Sequence, residues 1–245
     1  MLVYKAWRES RARFLVSAGA LVVVCASFVL FHRDVRGGSG DEPVTYPVYI
    51  WRITYKGYLR ELFIVLAVFL GLGGLARERD HRTVGFTLAL PVTRWRLLAT
   101  RTAVGLGEVM VLATLPAMVL PALSPLIGQG YSSSQAWAFA ILWATVGSLL
   151  FAIGLLASVL FAGELTAPVA ALAGLMGYSL VAEIPAFERY LTDIHDVMSG
   201  IDMPYFTEGT GLLTGSLPWT TLCGVLLATA TLIGIGVRIT SRQDF

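Results

Sequence analysis

The stretch that decides the fold is Leu75–Arg101, LARERDHRTVGFTLALPVTRWRLLATR, a charged island between two long apolar runs. Arg77, Glu78, Arg79, Asp80, His81 and Arg82 follow directly on the apolar run from Leu62 to Ala76. Each such charge costs roughly 3 kcal/mol at a bilayer centre, so the chain is expected to leave the hydrocarbon near Arg77. Thr83 to Leu90 has the length of two helical turns, with Asp80 or Thr83 available to cap its free N–H groups and Pro91 forbidding continuation. Val84 and Leu88 on one flank, and Phe86 and Leu90 on the other, give this piece apolar faces. A second start signal follows at once, where Thr93 can cap a helix whose first turn carries Arg94, Trp95 and Arg96. The island reads as helix, sharp break, helix, outside the membrane.

The rest of the chain agrees with that setting. Its 245 residues are 56% hydrophobic and only 14% charged, which is far from the composition of a soluble domain and points to a polytopic membrane protein. A bilayer crossing needs about 20 apolar residues. The expected fold is therefore all-α, a single transmembrane domain over residues 1–245 with six transmembrane helices at about 14–31, 58–76, 102–127, 136–162, 165–182 and 217–239. The net charge of +2 carries no signal for nucleic acid, because the basic residues cluster at membrane borders. Cys25 and Cys223 both lie in apolar runs, which argues against a disulfide or metal framework.

Before the first span, Lys5, Arg8, Arg11 and Arg13 alternate with Tyr4 and Trp7 as in an interfacial helix. The apolar run that follows, Phe14 to Phe31, exceeds the core of a cleaved signal peptide. In the connector between the first two spans, Tyr46, Tyr49, Trp51, Tyr55 and Tyr58 are expected at the headgroup level, with Arg60 and Glu61 snorkelling there or facing protein. Pro116, Pro121 and Pro125 are expected to kink or break the third span. The fifth is rich in small residues: Ala167 with Ala171, Ala170 with Gly174, and Ala173 with Gly177 are four-spaced pairs that let another helix approach closely.

Of the 18 lysines and arginines, Arg33, Arg36, Arg52, Lys56, Arg60 and Arg189 fall in the segments between spans one and two or five and six, and the others at the opposite ends. The positive-inside rule then places both termini and the charged island in the cytoplasm.

Few residues carry candidate chemistry. Glu108 lies about two turns into the third span, on the face of Arg101; it reads as a polar group in a translocation path or dimer contact, or as a carboxylate paired with Arg101 near the interface. Glu164, in the turn between spans four and five, reads as a solvated N-terminal charge or a minor partner contact. Asp193, His195, Asp196, Met198 and Met203 are spaced too irregularly for metal ligands, and read better as parts of short amphipathic helices over the outer mouth. No GxxxxGK[ST] phosphate loop, no HExxH motif and no GxSG nucleophile with a distant intramembrane His occurs, so no catalytic residue and no resident cofactor are expected.

The order Glu78, Thr83, then Leu88-Ala-Leu-Pro91-Val-Thr-Arg94 resembles the pattern E-x-E-x-G-T-(seven residues)-P-(V)-(S/T)-R that follows the second transmembrane helix of bacterial type-2 ATP-binding-cassette (ABC) permeases. The spacing from Thr83 to Pro91 fits without a gap, while Arg82 stands where the family usually has Gly. The resemblance implies that Glu78, Asp80, Thr83, Gly85, Leu88, Pro91 and Arg94 belong to a cytoplasmic coupling helix docked in a cleft of a separate ABC ATPase subunit, which would carry the ATP and Mg. It further implies a second permease copy, as homodimer or heterodimer, in the inner (plasma) membrane, and export as the function. On the residues alone two other classes stay open: a polytopic membrane enzyme whose catalytic groups match no familiar motif, and a non-transporting membrane scaffold.

Overall fold

The computed structural model describes residues 2–31, 44–72, 94–161, 166–182, 194–201, 203 and 205–242. Helix α1 spans Leu2–Leu30 without interruption, so the basic interfacial stretch and the apolar run are one element. Its 29 residues make a rod of about 43 Å, longer than the roughly 30 Å of a hydrocarbon core. The basic first turns therefore extend past the apolar zone.

The aromatic connector is folded. Helix α2, Tyr46–Ile50, begins with Pro47 in its first turn, where the missing N–H has no partner to lose. It runs into a π-helical turn, Trp51–Tyr55, and the chain reverses at Gly57 into α3, Tyr58–Gly71. A Cβ on Gly57 would lie 2.5 Å from the Arg52 carbonyl oxygen, so only glycine lets the chain fold this closely against the π-helical turn before α3. Helix α4, Arg94–Leu123, continues into a 3₁₀ turn at Ser124–Ile127. Helices α5, Ser133–Leu160, and α6, Thr166–Ala182, follow. A short α7, Ile194–Ser199, and a hairpin of β1, Phe206–Thr207, and β2, Leu212–Leu213, precede the last helix, α8, Trp219–Arg242. In the hairpin Phe206 faces Leu213.

Among the described residues, four segments are long and apolar enough to cross a membrane: α1, residues 96–127, α5 and the Trp219–Thr240 part of α8. Helices α3 and α6 occupy the expected second and fifth spans but are shorter, at 14 and 17 residues among those described. Helix α4 runs through Pro116 and Pro121 to Leu123, and the α-helix gives way to the 3₁₀ turn just before Pro125.

Helix α5 is the hub, packing against α3, α4, α6 and α8. Its most apolar stretch is 72% buried, against 28% for α1 and 17% for α8, so the outer two present apolar surface to the surroundings. The crossing of α3 and α5 is made by glycines. A Cβ on Gly154 would sit 2.5 Å from the Val68 carbonyl oxygen, and one on Gly71 would collide with the Phe151 carbonyl. Gly147 in turn receives the Phe63 ring and Val109.

The bundle has two distinct ends. At one, α1 begins, α3 ends at Gly71, Arg101 of α4 lies close to Glu9, and Gly236 of α8 lies beside Leu156. The opposite end is a buried aromatic layer, in which the connector's aromatic side chains face protein. Tyr46, Tyr49, Trp51 and Tyr55 are at most 8% exposed, and only Tyr58 remains open at 73%. Tyr55 stacks on Phe139 with ring centroids 3.8 Å apart and meets Trp143 edge-on at 5.7 Å. The Trp51 indole N–H donates to the Ser199 carbonyl at 2.8 Å, and the Trp143 N–H to that of Met198 at 3.2 Å. The Ser124 hydroxyl donates to the Leu120 carbonyl at 2.6 Å, which leaves it to accept from Tyr46 at 2.7 Å. Helix α7 and the hairpin thus form a lid on this layer: Phe206 packs on Trp51, and the Gln135 side-chain amide pairs with the Leu213 backbone in both directions, at 2.6 and 2.9 Å. Arg60 faces protein, its guanidinium reaching the His195 carbonyl and the neighbouring Glu61 carboxylate. Met198 and Met203 are core side chains of this lid, with Met198 wholly buried.

Candidate functional site

The polar residues of the bundle converge at the α1/α4 end. Helix α1 places Glu9, Ser10 and Arg13 within about one turn, and α4 places Arg101, Thr102 and Glu108 opposite them. Glu9 is the junction. It accepts from Arg101 Nη2 at 2.9 Å and lies 3.9 Å from Lys5 one turn earlier. Exposed ion pairs contribute little, about 0–1 kcal/mol, but the Arg101 side chain is only 11% exposed, so this one holds the two helices in register.

Seven residues beyond Arg101, Glu108 is 3% exposed inside the bundle. Its Oε1 accepts a hydrogen bond from the Ser10 hydroxyl, which also lies 3.2 Å from the Ala6 carbonyl. A carboxylate in such a place is costly unless it is bound on both oxygens. Its Oε2 and the hydroxyl of Thr102, itself 5% exposed, have no hydrogen-bond partner among the described residues. Glu108 and Thr102 are among the residues around a cavity of about 50 Å³ between α1 and α4, closed on its apolar side by Leu70, Gly71 and Phe151, while these two oxygens are themselves buried. Gly105 keeps the cavity open to Phe151, since a Cβ there would lie 2.5 Å from the ring.

The sequence-predicted residues are distributed unevenly around this site. Glu108 is at its centre, and its partner is on another helix. Glu78, Asp80, Thr83, Gly85, Leu88 and Pro91 lie outside the described residues, as does Glu164, while Arg94 is the first residue of α4. Of the small-residue set, Ala167 and Ala171 are buried, where α6 meets α5 and α3. Ala170 and Gly177 are half-buried and Gly174 is exposed, with nothing within 4 Å of a Cβ at Gly174 or Gly177. The contributions of Glu9, Ser10, Arg13 and Thr102 were not foreseen. One signal existed: Glu9 is an acid inside an otherwise basic stretch, where a membrane border alone would ask for none.

A scan of the sequence against protein-family models gives no match, and a search of curated proteins finds no relative.

Proposed function

We propose that the chain is the membrane-spanning permease subunit of an ATP-driven transporter of the type-2 ABC class, an exporter coupled to a separate ATPase subunit. In this reading six helices cross the inner (plasma) membrane, both termini and residues 73–93 are cytoplasmic, and the permease works as a dimer. The observation that carries the proposal is mechanical. Helix α4 begins at Arg94, the last residue of the motif, and continues unbroken through Arg101 and Glu108, which hold it to α1 by Glu9 and Ser10. A push delivered to residues 78–91 therefore has a stiff helix to act on and a second helix fastened to it, which is the physical requirement for coupling between a soluble motor and a membrane path.

The test is made on the complex. Glu78→Ala, or a bulky charge at Gly85, is expected to weaken ATPase association or uncouple hydrolysis from transport by about tenfold, the scale of removing one charge-assisted hydrogen bond from a partly buried interface. Insertion and folding of the permease are expected to be unchanged. If no ATPase copurifies with the chain, or if these substitutions leave coupling intact, the island is only a basic membrane border.

Orientation has its own test. Ser199 is wholly buried on the inner side of the lid and makes a poor reporter, whereas the Glu208 side chain is 61% exposed at the hairpin. In a background lacking Cys25 and Cys223, Glu208→Cys is expected to react with an impermeant thiol reagent from outside intact cells, and Gln243→Cys only after permeabilisation. The reverse pattern would invert the topology and remove the coupling assignment.

A further inference from the structure

Helix α1 has a face that the bundle leaves uncovered. On the side toward α4, Ala6 is buried and Ser10 meets Glu108. Tyr4, Arg8, Arg11 and Leu15 recur at spacings of four, three and four residues on the opposite side, and all of them are exposed. Arg8 and Arg11 make no ion pair or side-chain hydrogen bond among the described residues, whereas Lys5 and Arg101 both pair with Glu9.

Depth places these two guanidiniums among phosphates. The apolar run of α1 begins at Phe14, and the Trp7 ring rests against that of Phe14, centroids 5.5 Å apart, as an aromatic does at a membrane border. Along the helix, Arg11 lies about 6 Å and Arg8 about 10 Å outward of Leu15, and the headgroup layer outside the hydrocarbon is about 5–7 Å thick. The two arginines therefore flank the phosphate level, and the planar fork of each suits a pair of phosphate oxygens. Two cations favour a lipid of net negative charge over a zwitterionic one, whose ammonium they repel. Toward the membrane centre the same stripe turns apolar. Leu15 is followed by Gly19, where a Cβ would meet nothing within 4 Å, which leaves a shallow track for an acyl chain. A second copy of the chain fits this face badly, because a two-fold contact across it would set arginine against arginine.

We propose that Arg8 and Arg11 bind the phosphate of an anionic phospholipid whose acyl chain lies along Leu15 and Gly19. The site requires only that α1 crosses a membrane, and it stands apart from the transport reading. Lipid bound there fixes the depth of α1 and, through the Glu9–Arg101 and Ser10–Glu108 contacts, that of α4.

The full chain, purified in detergent, is titrated with phosphatidylglycerol and with phosphatidylcholine of the same acyl chains, and bound lipid is read by native mass spectrometry. Each arginine at a membrane surface contributes about fivefold, so the anionic lipid is expected to bind about 25-fold tighter. Arg8→Gln and Arg11→Gln are each expected to cut that preference about fivefold, and the double variant to bring it below about twofold. Both side chains are exposed, so monodisperse elution is expected to be kept. Arg52→Gln removes an exposed arginine at the opposite end of the bundle and is expected to leave the preference unchanged. Equal binding of the two lipids by the unmodified protein would overturn the proposal. An equal loss in Arg52→Gln would do the same, by making the attraction one of net charge alone. Displacement of the lipid by excess free glycerol phosphate would overturn the acyl part of the site. A double variant that keeps the lipid preference and changes oligomeric state instead would make the stripe a contact between copies.

Discussion

Gly154→Leu is expected to eliminate the folded bundle, and Gly154→Ala to destabilise it by about 2 kcal/mol. Two effects oppose each other at this position. Alanine in a helix interior gains about 1 kcal/mol over glycine in propensity, so a free site would become more stable. At Gly154, however, the new Cβ would lie 2.5 Å from the Val68 carbonyl oxygen and 3.3 Å from the Cα of Gly71. Both obstacles are backbone, so no rotamer change relieves them and α3 must move away from α5. In a membrane, separated helices gain no hydrophobic compensation, because lipid tails are as apolar as the side chains they replace. Separating α3 from α5 would also disturb Gly71, which borders the polar cavity. The measurement is the monodisperse fraction on size exclusion and the thermal midpoint in detergent, with Gly107→Ala as control, since a Cβ there meets nothing within 4 Å. A Gly154→Leu protein that elutes and melts as the unmodified chain does would mean that backbone contact does not close the α3/α5 crossing.

That result bears on what could be read beforehand. The apolar runs located the helices because a bilayer crossing is a composition, visible in any window of about 20 residues. Their ends were less legible. The interfacial helix expected before Phe14 and the first span form one helix from Leu2, because helical hydrogen bonding continues through basic residues as well as apolar ones and no proline interrupts it. Close packing was expected on α6, where small residues recur at four-residue spacing, and Ala167 and Ala171 are indeed buried there. The tightest crossing uses Gly71 and Gly154, one per helix, and a lone glycine in an apolar run carries no pattern that names its partner. The same limit applied to the connector: Tyr46 to Tyr55 have the density of a headgroup belt, and only the position of α7 and the hairpin shows that they face protein.

The polar site followed the same division. Glu108 stood out because a carboxylate within an apolar run is rare and costly. Its partner could not be read, since Ser10 lies 98 residues earlier in the chain and serine in an interfacial helix is unremarked. Arg101, on the same face as Glu108, offered a local pairing; its guanidinium lies 2.9 Å from Glu9 on α1.

Trp143→Ala is expected to cost about 3–5 kcal/mol and to open the lid, because this one ring joins three parts of the structure. Trp143 is 1% exposed on the hub helix α5. Its ring lies 4.7 Å from Phe63 of α3 and meets Tyr55 of the π-helical turn edge-on at 5.7 Å, while its N–H donates to the Met198 carbonyl in α7. Truncation removes the aromatic contacts, leaves a void between α3 and α5, and strands the Met198 carbonyl. Trp143→Phe keeps most of the ring and loses the hydrogen bond, at about 1 kcal/mol, so the two variants separate packing from polar anchoring. Thermal midpoint in detergent reads the first effect. The second is read by limited proteolysis of the hairpin around 208–210, exposed at its tip, where cleavage is expected to rise in both variants and most in Trp143→Ala. Trp137, nearer the start of the same helix and 44% exposed, supplies the comparison: its alanine variant loses an outward ring and is expected to melt within about 0.5 kcal/mol of the unmodified chain. If Trp143→Ala matched Trp137→Ala in both measurements, the aromatic layer would not be what seats the lid, and the anchoring would rest instead on Trp51 with Ser199 and on Gln135 with Leu213.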